Sequence, residues 1–429
     1  MDDFSLLRIK NKNNKIGIIK ECLKKIITNI RLKKLKLPRK NKKIEIERIM
    51  EDNKNQISFK QKIKKKRNAG VDLVRILSMI GIVYSHVILQ GRGLSKYKKY
   101  KSEILSAETY FFWHNNAFAL ISGVVGYKST KYSNLLYLWL CVVFYSVSIR
   151  YYYLKYKKYA TVKGELYQEL CPVIHCRYWY FSSYFGMFIF LPIINIGIQY
   201  LNKVEFNLIV MSILGIFVFW YNYINNKNDI FRMNGGCSTI WLLCLYIIGA
   251  YIGKFNKEYA GIKRYIISLI NILIFLLFCF IYNKYRNYII SDFNGNYKIK
   301  LGNFIKKLMS KNLNSVIRTV QAILIILFFF NLKYNQYLSK FITFLGPLTF
   351  GVYLIHLNGN VNINYLKKIL NGESHNLTAN EVIRMLIFKS IKFFLECIII
   401  EYMRYLLFTL LKIRNICMLI EKNVFKIAS

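Results

Sequence analysis

From Val71 onward the chain is a succession of apolar runs, each close to the roughly 20 residues a helix needs to cross the hydrocarbon core of a bilayer. They fall at about 71–90, 109–127, 135–153, 179–198, 206–223, 237–253, 265–284, 317–333, 341–357 and 385–411. In lipid every backbone polar group must be satisfied within the protein, so such runs predict helices. The expected fold is therefore all-α, a polytopic transmembrane bundle of about ten helices. The sequence shows no internal repeat of the kind that builds many transporters.

Charge fits this reading. The chain has 64 Lys and Arg against 21 Asp and Glu, yet 54% of its residues are hydrophobic. Both hold at once if the charges sit outside the bilayer. A basic excess of this size also suits nucleic acid, but the apolar runs leave no room for a soluble nucleic-acid domain after residue 70, and none is expected as a partner. Residues 1–70 carry 23 Lys and Arg against seven Asp and Glu. They read as a basic cytoplasmic tail by the positive-inside rule. Ten crossings then return residues 412–429 to the cytoplasm as a second, short tail. Between them, 71–411 forms the membrane domain of a multi-pass protein of the cell membrane. Within the first tail, Ile19, Cys22, Leu23, Ile26, Ile27 and Ile30 recur at helical spacing, with Lys20, Lys24, Lys25 and Arg31 on other faces. That pattern suits an amphipathic helix on an anionic membrane surface; a solvated extension would have the same composition. The run "CPVIHC" brings Cys171, His175 and Cys176 together, too few ligands for a metal site. No metal is expected.

The first apolar run, "NAGVDLVRILSMIGIVYSHVILQGRG" (68–93), carries Asp72, Arg75 and His86. Ionisable groups at such depth cost several kcal/mol or more and tend to line substrate or proton paths. Arg75 and His86 are eleven residues apart, which at 100° per residue is about 20° past three full turns, and roughly 16 Å along the axis. Asp72 lies about one turn before Arg75. All three share one face, as a polar seam pointing into a bundle requires. Taken singly, Asp72 and Arg75 read equally as an ion pair near the membrane boundary, and His86 as an interfacial histidine. His356 ends "GVYLI" at a depth similar to that of His86.

A basic residue, ten spacers and a histidine on the first helix resemble the opening of the acyltransferase-3 family of integral membrane acyltransferases. "FALISGVVGYKS" (118–129), "YWYFSSYFGMFIFLPIIN" (178–195), "WLLCLYIIGAYIG" (241–253) and "LTFGVYLIHLNGNV" (348–361) are similar to later signatures of that family. The nearest flavour is the branch that O-acetylates surface polysaccharides. The resemblance implies acetyl-CoA, or another acyl-CoA, as donor, and a hydroxyl of a cell-surface or lipid-linked glycan as acceptor. It assigns His86 as general base or transient acyl carrier, with Arg75, Asp72 and His356 beside it in the catalytic group. Arg75 would also handle the donor, with Lys128 and Lys131 standing where many members carry an arginine pair; lysine binds phosphate as a point charge, without the bidentate fork. Trp179, Tyr184 and Asn116 would face the acceptor, although interfacial aromatics also simply anchor helices. The expected partners are membrane lipids, the glycan and acyl-CoA, and self-association stays open. A transporter or flippase of a lipid-linked sugar or small solute would use the same polar seam and is the competing reading.

Overall fold

The computed structural model describes residues 67–156, 166–224, 229, 231–256, 262–291, 312–374 and 376–425. The expected surface helix near residues 19–30 and His375 lie outside the described residues. The chain divides into two compact units, Asn68–Ile413 and a second made of Met1–Arg67 with Arg414–Ser429. Among the described residues of the second unit is most of a helix, Ile413–Phe425.

Helices form over every apolar run, and no strand occurs among the described residues. In chain order they are α1 (Ala69–Leu89), α2 (Lys101–Thr109), α3 (His114–Gly126), α4 (Tyr132–Tyr156), α5 (Trp179–Tyr200) and α6 (Lys203–Ile213). Then come α7 (Thr239–Phe255), α8 (Ile262–Ser291), α9 (Val316–Asn331), α10 (Gln336–Leu345), α11 (Thr349–His356), α12 (Gly359–Asn364) and α13 (Ala379–Leu410). Among the described residues six helical stretches are long and apolar enough to cross a membrane: 69–89, 132–156, 179–200, 203–223, 262–284 and 336–356. α7 and α9 are apolar but shorter. α13 is longer, and it carries Arg384, Lys389, Lys392, Glu396, Glu401 and Arg404.

Local chemistry sets the boundaries. Asn68 caps α1, its Oδ1 accepting from the Gly70 and Val71 amides, while its Nδ2 donates to Phe330 O at 3.2 Å and so ties the start of α1 to the end of α9. Thr378 and Glu381 form a reciprocal capping box at the start of α13; the Thr378 amide and hydroxyl that bond the Glu381 carboxyl hold it below the usual carboxylate range. The run expected at 109–127 is split, because a turn over Tyr110–Trp113, closed by Trp113 Nε1 donating to Tyr110 O at 2.7 Å, separates α2 from α3. The run expected at 341–357 is one rod with a 3₁₀ turn, Gly346–Leu348, between α10 and α11. Pro347 lacks the amide that would continue the α ladder there.

Lipid tails are as apolar as leucine, so helices in a bilayer associate through close packing more than through hydrophobic burial. Glycine supplies it here. A Cβ on Gly123 of α3 would sit 1.9 Å from Tyr246 O of α7, and one on Gly249 of α7 would sit 2.0 Å from Leu120 O of α3. The two backbones touch. α1 is the central helix: 72% of its spanning window is buried, against 22% for those of 203–223 and 262–284. Val71 and Val74 join one apolar cluster with α3, α7 and α9, and Ile76, Met79 and Val83 join another with α11 and α13.

Candidate active site

α1 and the α10–α11 rod run side by side, and the polar seam of α1 faces the rod at both ends. At the lower end Asp72 lies against Gly346, where a Cβ would come within 2.8 Å of the carboxylate. At the upper end the rings of His86 and His356 meet edge to face, with centroids 5.1 Å apart at 83°. The shared face expected from the eleven-residue spacing is the face on which this rod packs.

The lower pair is tight. Asp72, 1% exposed, accepts from Arg75 Nη1 at 2.5 Å, and the Arg75 side chain is 21% exposed. Arg75 lies within electrostatic reach of Tyr184, whose hydroxyl is within reach of Ser122. Asp72 therefore touches Arg75 rather than His86; in this arrangement it orients the guanidinium. Lys128 and Lys131 are exposed, just past the end of α3. The Lys128 ammonium lies 5.8 Å from the Tyr127 ring centre.

The upper pair is two imidazoles in contact. His356 is fully buried, and its Nδ1 lies 2.7 Å from Val352 O one turn back. A carbonyl only accepts, so this bond puts the proton on Nδ1 and leaves Nε2 as an acceptor. Nε2 is buried and has no hydrogen-bond partner, nor does Nδ1 of His86. Leaving a buried polar atom unpaired costs about 1–3 kcal/mol. Two of them belong to adjacent imidazoles here. His86 is itself only partly buried, so one side of the pair is open to a ligand. Gln90, one turn beyond His86 and within its reach, joins α12, where Asn362 Nδ2 donates to Gln90 Oε1.

A third histidine, to which the sequence reading gave no role, lies beside the group. His114 begins α3, is 5% exposed, and places Nε2 3.2 Å from Ser85 Oγ, the residue before His86. Its Nδ1 is buried without a partner. Arg318, at the start of α9, lies within electrostatic reach of His114 and Glu108, and its guanidinium carbon is 4.5 Å from the Phe112 ring centre. Its buried Nε has no hydrogen bond. Neither residue stands in a recognisable spacing with His86, because they come from other helices. The only sequence signal was a polar residue in an otherwise apolar context.

The residues expected to face an acceptor divide. Asn116 uses both ends of its amide inside the protein, donating to Leu313 O at 2.7 Å and accepting from Trp241 Nε1 at 3.1 Å. Trp179 packs on Tyr180, ring centroids 5.4 Å apart, in the partly buried shell of the first apolar cluster. Tyr184 alone of the three lies near the seam, on the Arg75 side. Around the histidine pair stand instead Tyr353, with its ring 6.4 Å from that of His356, and Tyr178, whose hydroxyl donates to Leu354 O at 3.1 Å. Cys171 and Cys176 are exposed free thiols.

Chemically, the arrangement offers a bare imidazole nitrogen to take a proton, a second imidazole beside it, and a guanidinium further down the same face. The acyltransferase-3 family model, an acyltransferase domain, matches residues 68–388 and so takes in both pairs and His114. Comparison with curated proteins and with solved structures finds no match. A family match over about three-quarters of the chain, beginning at the helix that carries the seam, makes this protein a member of the acyltransferase-3 family and a membrane acyltransferase.

Proposed function

We propose that the protein is an O-acyltransferase that moves an acetyl or other acyl group from acyl-CoA to a hydroxyl of a cell-surface or lipid-linked glycan, with His86 at the reaction centre. The observation that carries this reading is the contact of His86 with His356, each with an unpartnered ring nitrogen, on the seam that Arg75 shares. A thioester is already activated, so the site must deprotonate the hydroxyl and hold the developing negative charge. In direct transfer His86 takes the hydroxyl proton as the oxygen attacks the acyl carbon. The C–S bond breaks, a C–O bond forms, and the proton passes to the coenzyme A sulfur. In the two-step route a His86 nitrogen attacks first, releasing coenzyme A, and the hydroxyl then displaces the imidazole. A transient acyl adduct trapped on His86 without acceptor distinguishes the second route.

Arg75 suits the donor. It lies about 16 Å from His86 along the helix, and the long pantetheine arm separates the phosphates of acyl-CoA from its thioester. Phosphate near Arg75 and thioester near His86 is one extended pose along one helix face. Lys128 and Lys131 offer further positive charge at the end of α3 that lies toward Arg75.

The test is acyl-ester content of surface glycans in cells making equal amounts of wild type or His86→Gln. Glutamine keeps a hydrogen-bonding side chain but does not titrate near neutrality. Acylation should fall by at least about 10²-fold, the usual scale for loss of a general base. Near-normal acylation by His86→Gln removes both the base and the acyl-carrier roles from His86.

A further inference from the structure

Away from the histidines, between α12 and α13, lies a cavity of about 290 Å³ lined by Asn364, Tyr365, Lys368, Ile369, Lys389 and Lys392. Three ammonium groups in so small a space repel one another unless something answers their charge. Lys389 is answered, by Glu373 at 2.5 Å. The Glu396 carboxylate at the edge accepts the Tyr365 hydroxyl. The side chains of Lys368 and Lys392 are exposed and make no hydrogen bond or ion pair with any described residue. The Asn364 amide already donates to Asn360 O and the Tyr365 hydroxyl to Glu396, so what the cavity offers a ligand is the two ammonium groups, which suit a phosphate.

Two further observations say what carries that phosphate. The first is depth. Leu386, one turn before Lys389, packs on Gly93 just past the end of α1, so the cavity lies where α1 leaves its apolar stretch. That is headgroup level. The second is the outward face of α13 that carries Lys392. Phe388, Lys392, Leu395 and Ile399 recur at four, three and four residues along α13, and the three apolar members are 63%, 52% and 65% exposed. A cationic pocket at headgroup level above an outward apolar stripe fits an amphiphile with a phosphate head and a hydrocarbon tail. The cavity also adjoins the reaction centre: α12 starts three residues after His356, bonds Gln90 through Asn362, and ends at the lining residue Asn364. Its six residues rise only about 9 Å.

We propose that this cavity holds the phosphate of a lipid-linked acceptor, the hydrocarbon lying along Leu395 and Ile399 and the sugar reaching past Gln90 to His86 and His356. This rests on the acyltransferase reading and narrows its acceptor class to sugars carried on a lipid phosphate. An anionic phospholipid offers the same head chemistry, so the experiment separates the two. Wild type and a K368Q/K392Q double variant are placed in phosphatidylcholine nanodiscs and titrated with a C55 polyprenyl phosphate, with dioleoylphosphatidylglycerol and with inorganic phosphate. The polyprenyl phosphate should bind wild type at least about 10-fold more tightly than it binds the double variant, since a hydrogen bond to a charged group is worth roughly 1.5–3 kcal/mol. It should also bind at least about 10-fold more tightly than either comparison probe, with the double variant eluting as wild type does in size-exclusion chromatography. Equal affinity for phosphatidylglycerol marks an ordinary boundary-lipid site and overturns the proposal, as does equal affinity for inorganic phosphate or an unchanged double variant. Binding needs no acyl transfer, so His86→Gln should bind the polyprenyl phosphate as wild type does. If it binds and still acylates glycans, the role proposed for His86 fails while this site stands.

Discussion

At the scale of single residues, the seam on α1 separates into two devices with different physics. Arg75 is held by a carboxylate and keeps about a fifth of its surface exposed, so it can serve a soluble donor while staying oriented. Arg75→Ala should weaken binding of radiolabelled acetyl-CoA by about 10-fold or more, and Arg75→Lys should recover only part of it, because an ammonium lacks the fork that grips two phosphate oxygens. Unchanged acetyl-CoA affinity in Arg75→Ala, with normal accumulation, would remove Arg75 from the donor site. The upper device depends on an unpaired nitrogen of His356. His356→Gln should lower acyl transfer by at least about 10²-fold with acetyl-CoA affinity unchanged, which a merely structural role would not give. The residue beside Arg75 in sequence logic, Asp72, was legible as its partner from the i,i+3 spacing alone. His114 was not legible as a neighbour of His86, since 27 residues, with a turn at Tyr110–Trp113, lie between them.

At the scale of helices, two contacts decide whether the site is assembled. The first is the glycine seam of α3 and α7. Gly249→Val puts branched carbon where Leu120 O already sits 2.0 Å from an ideal Cβ, and that oxygen is backbone. Folded protein in a detergent-stability assay should fall steeply. Gly197, in α5, has nothing within 4 Å of its Cβ position; Gly197→Ala should be neutral or stabilise by about 0.5–1 kcal/mol through lower backbone entropy. Equal behaviour of the two variants would show that the close approach is not what joins the helices. The second contact is a buried ion pair on α13. Glu401 accepts from Arg404 Nε at 3.1 Å and from Tyr145 of α4 at 2.6 Å, and Arg404 donates to Tyr137 at 2.9 Å. Gly351 of α11 leaves the room, since a Cβ there would lie 2.1 Å from Glu401 Oε2. Glu401→Gln strands a buried guanidinium, and the midpoint of thermal unfolding should drop by an amount matching about 3–5 kcal/mol. The double replacement Glu401→Leu with Arg404→Met should restore much of it.

At the scale of the molecule, Asn68–Ile413 forms a unit with its own apolar clusters, all of whose described members lie within it. Removing residues 1–60 should therefore leave the membrane domain folded, with unchanged elution in size-exclusion chromatography and unchanged acetyl-CoA binding. What should change is retention on vesicles containing phosphatidylglycerol, at about 1 kcal/mol per basic residue near the surface. Loss of all folded protein on that deletion would show that the tail contributes to the core.

The sequence by itself determined the fold class, the helix positions to within a few residues and the polar face of α1. These follow from local rules: a backbone that must bond to itself in lipid, a period of 3.6 residues, and the caps at Asn68, Ser238, Asn335 and Thr378. The motifs around His86 and His356 also marked two places in the chain that the family reading joins. Only the tertiary structure decided what faces what. The meeting of His86 with His356, the approach of His114 through Ser85, and the placing of Lys368 beside Lys392 each unite helices far apart in sequence. Their contact depends on packing geometry that no local period encodes: glycines letting backbones touch, and a 3₁₀ turn at Pro347 setting the register of the rod against α1.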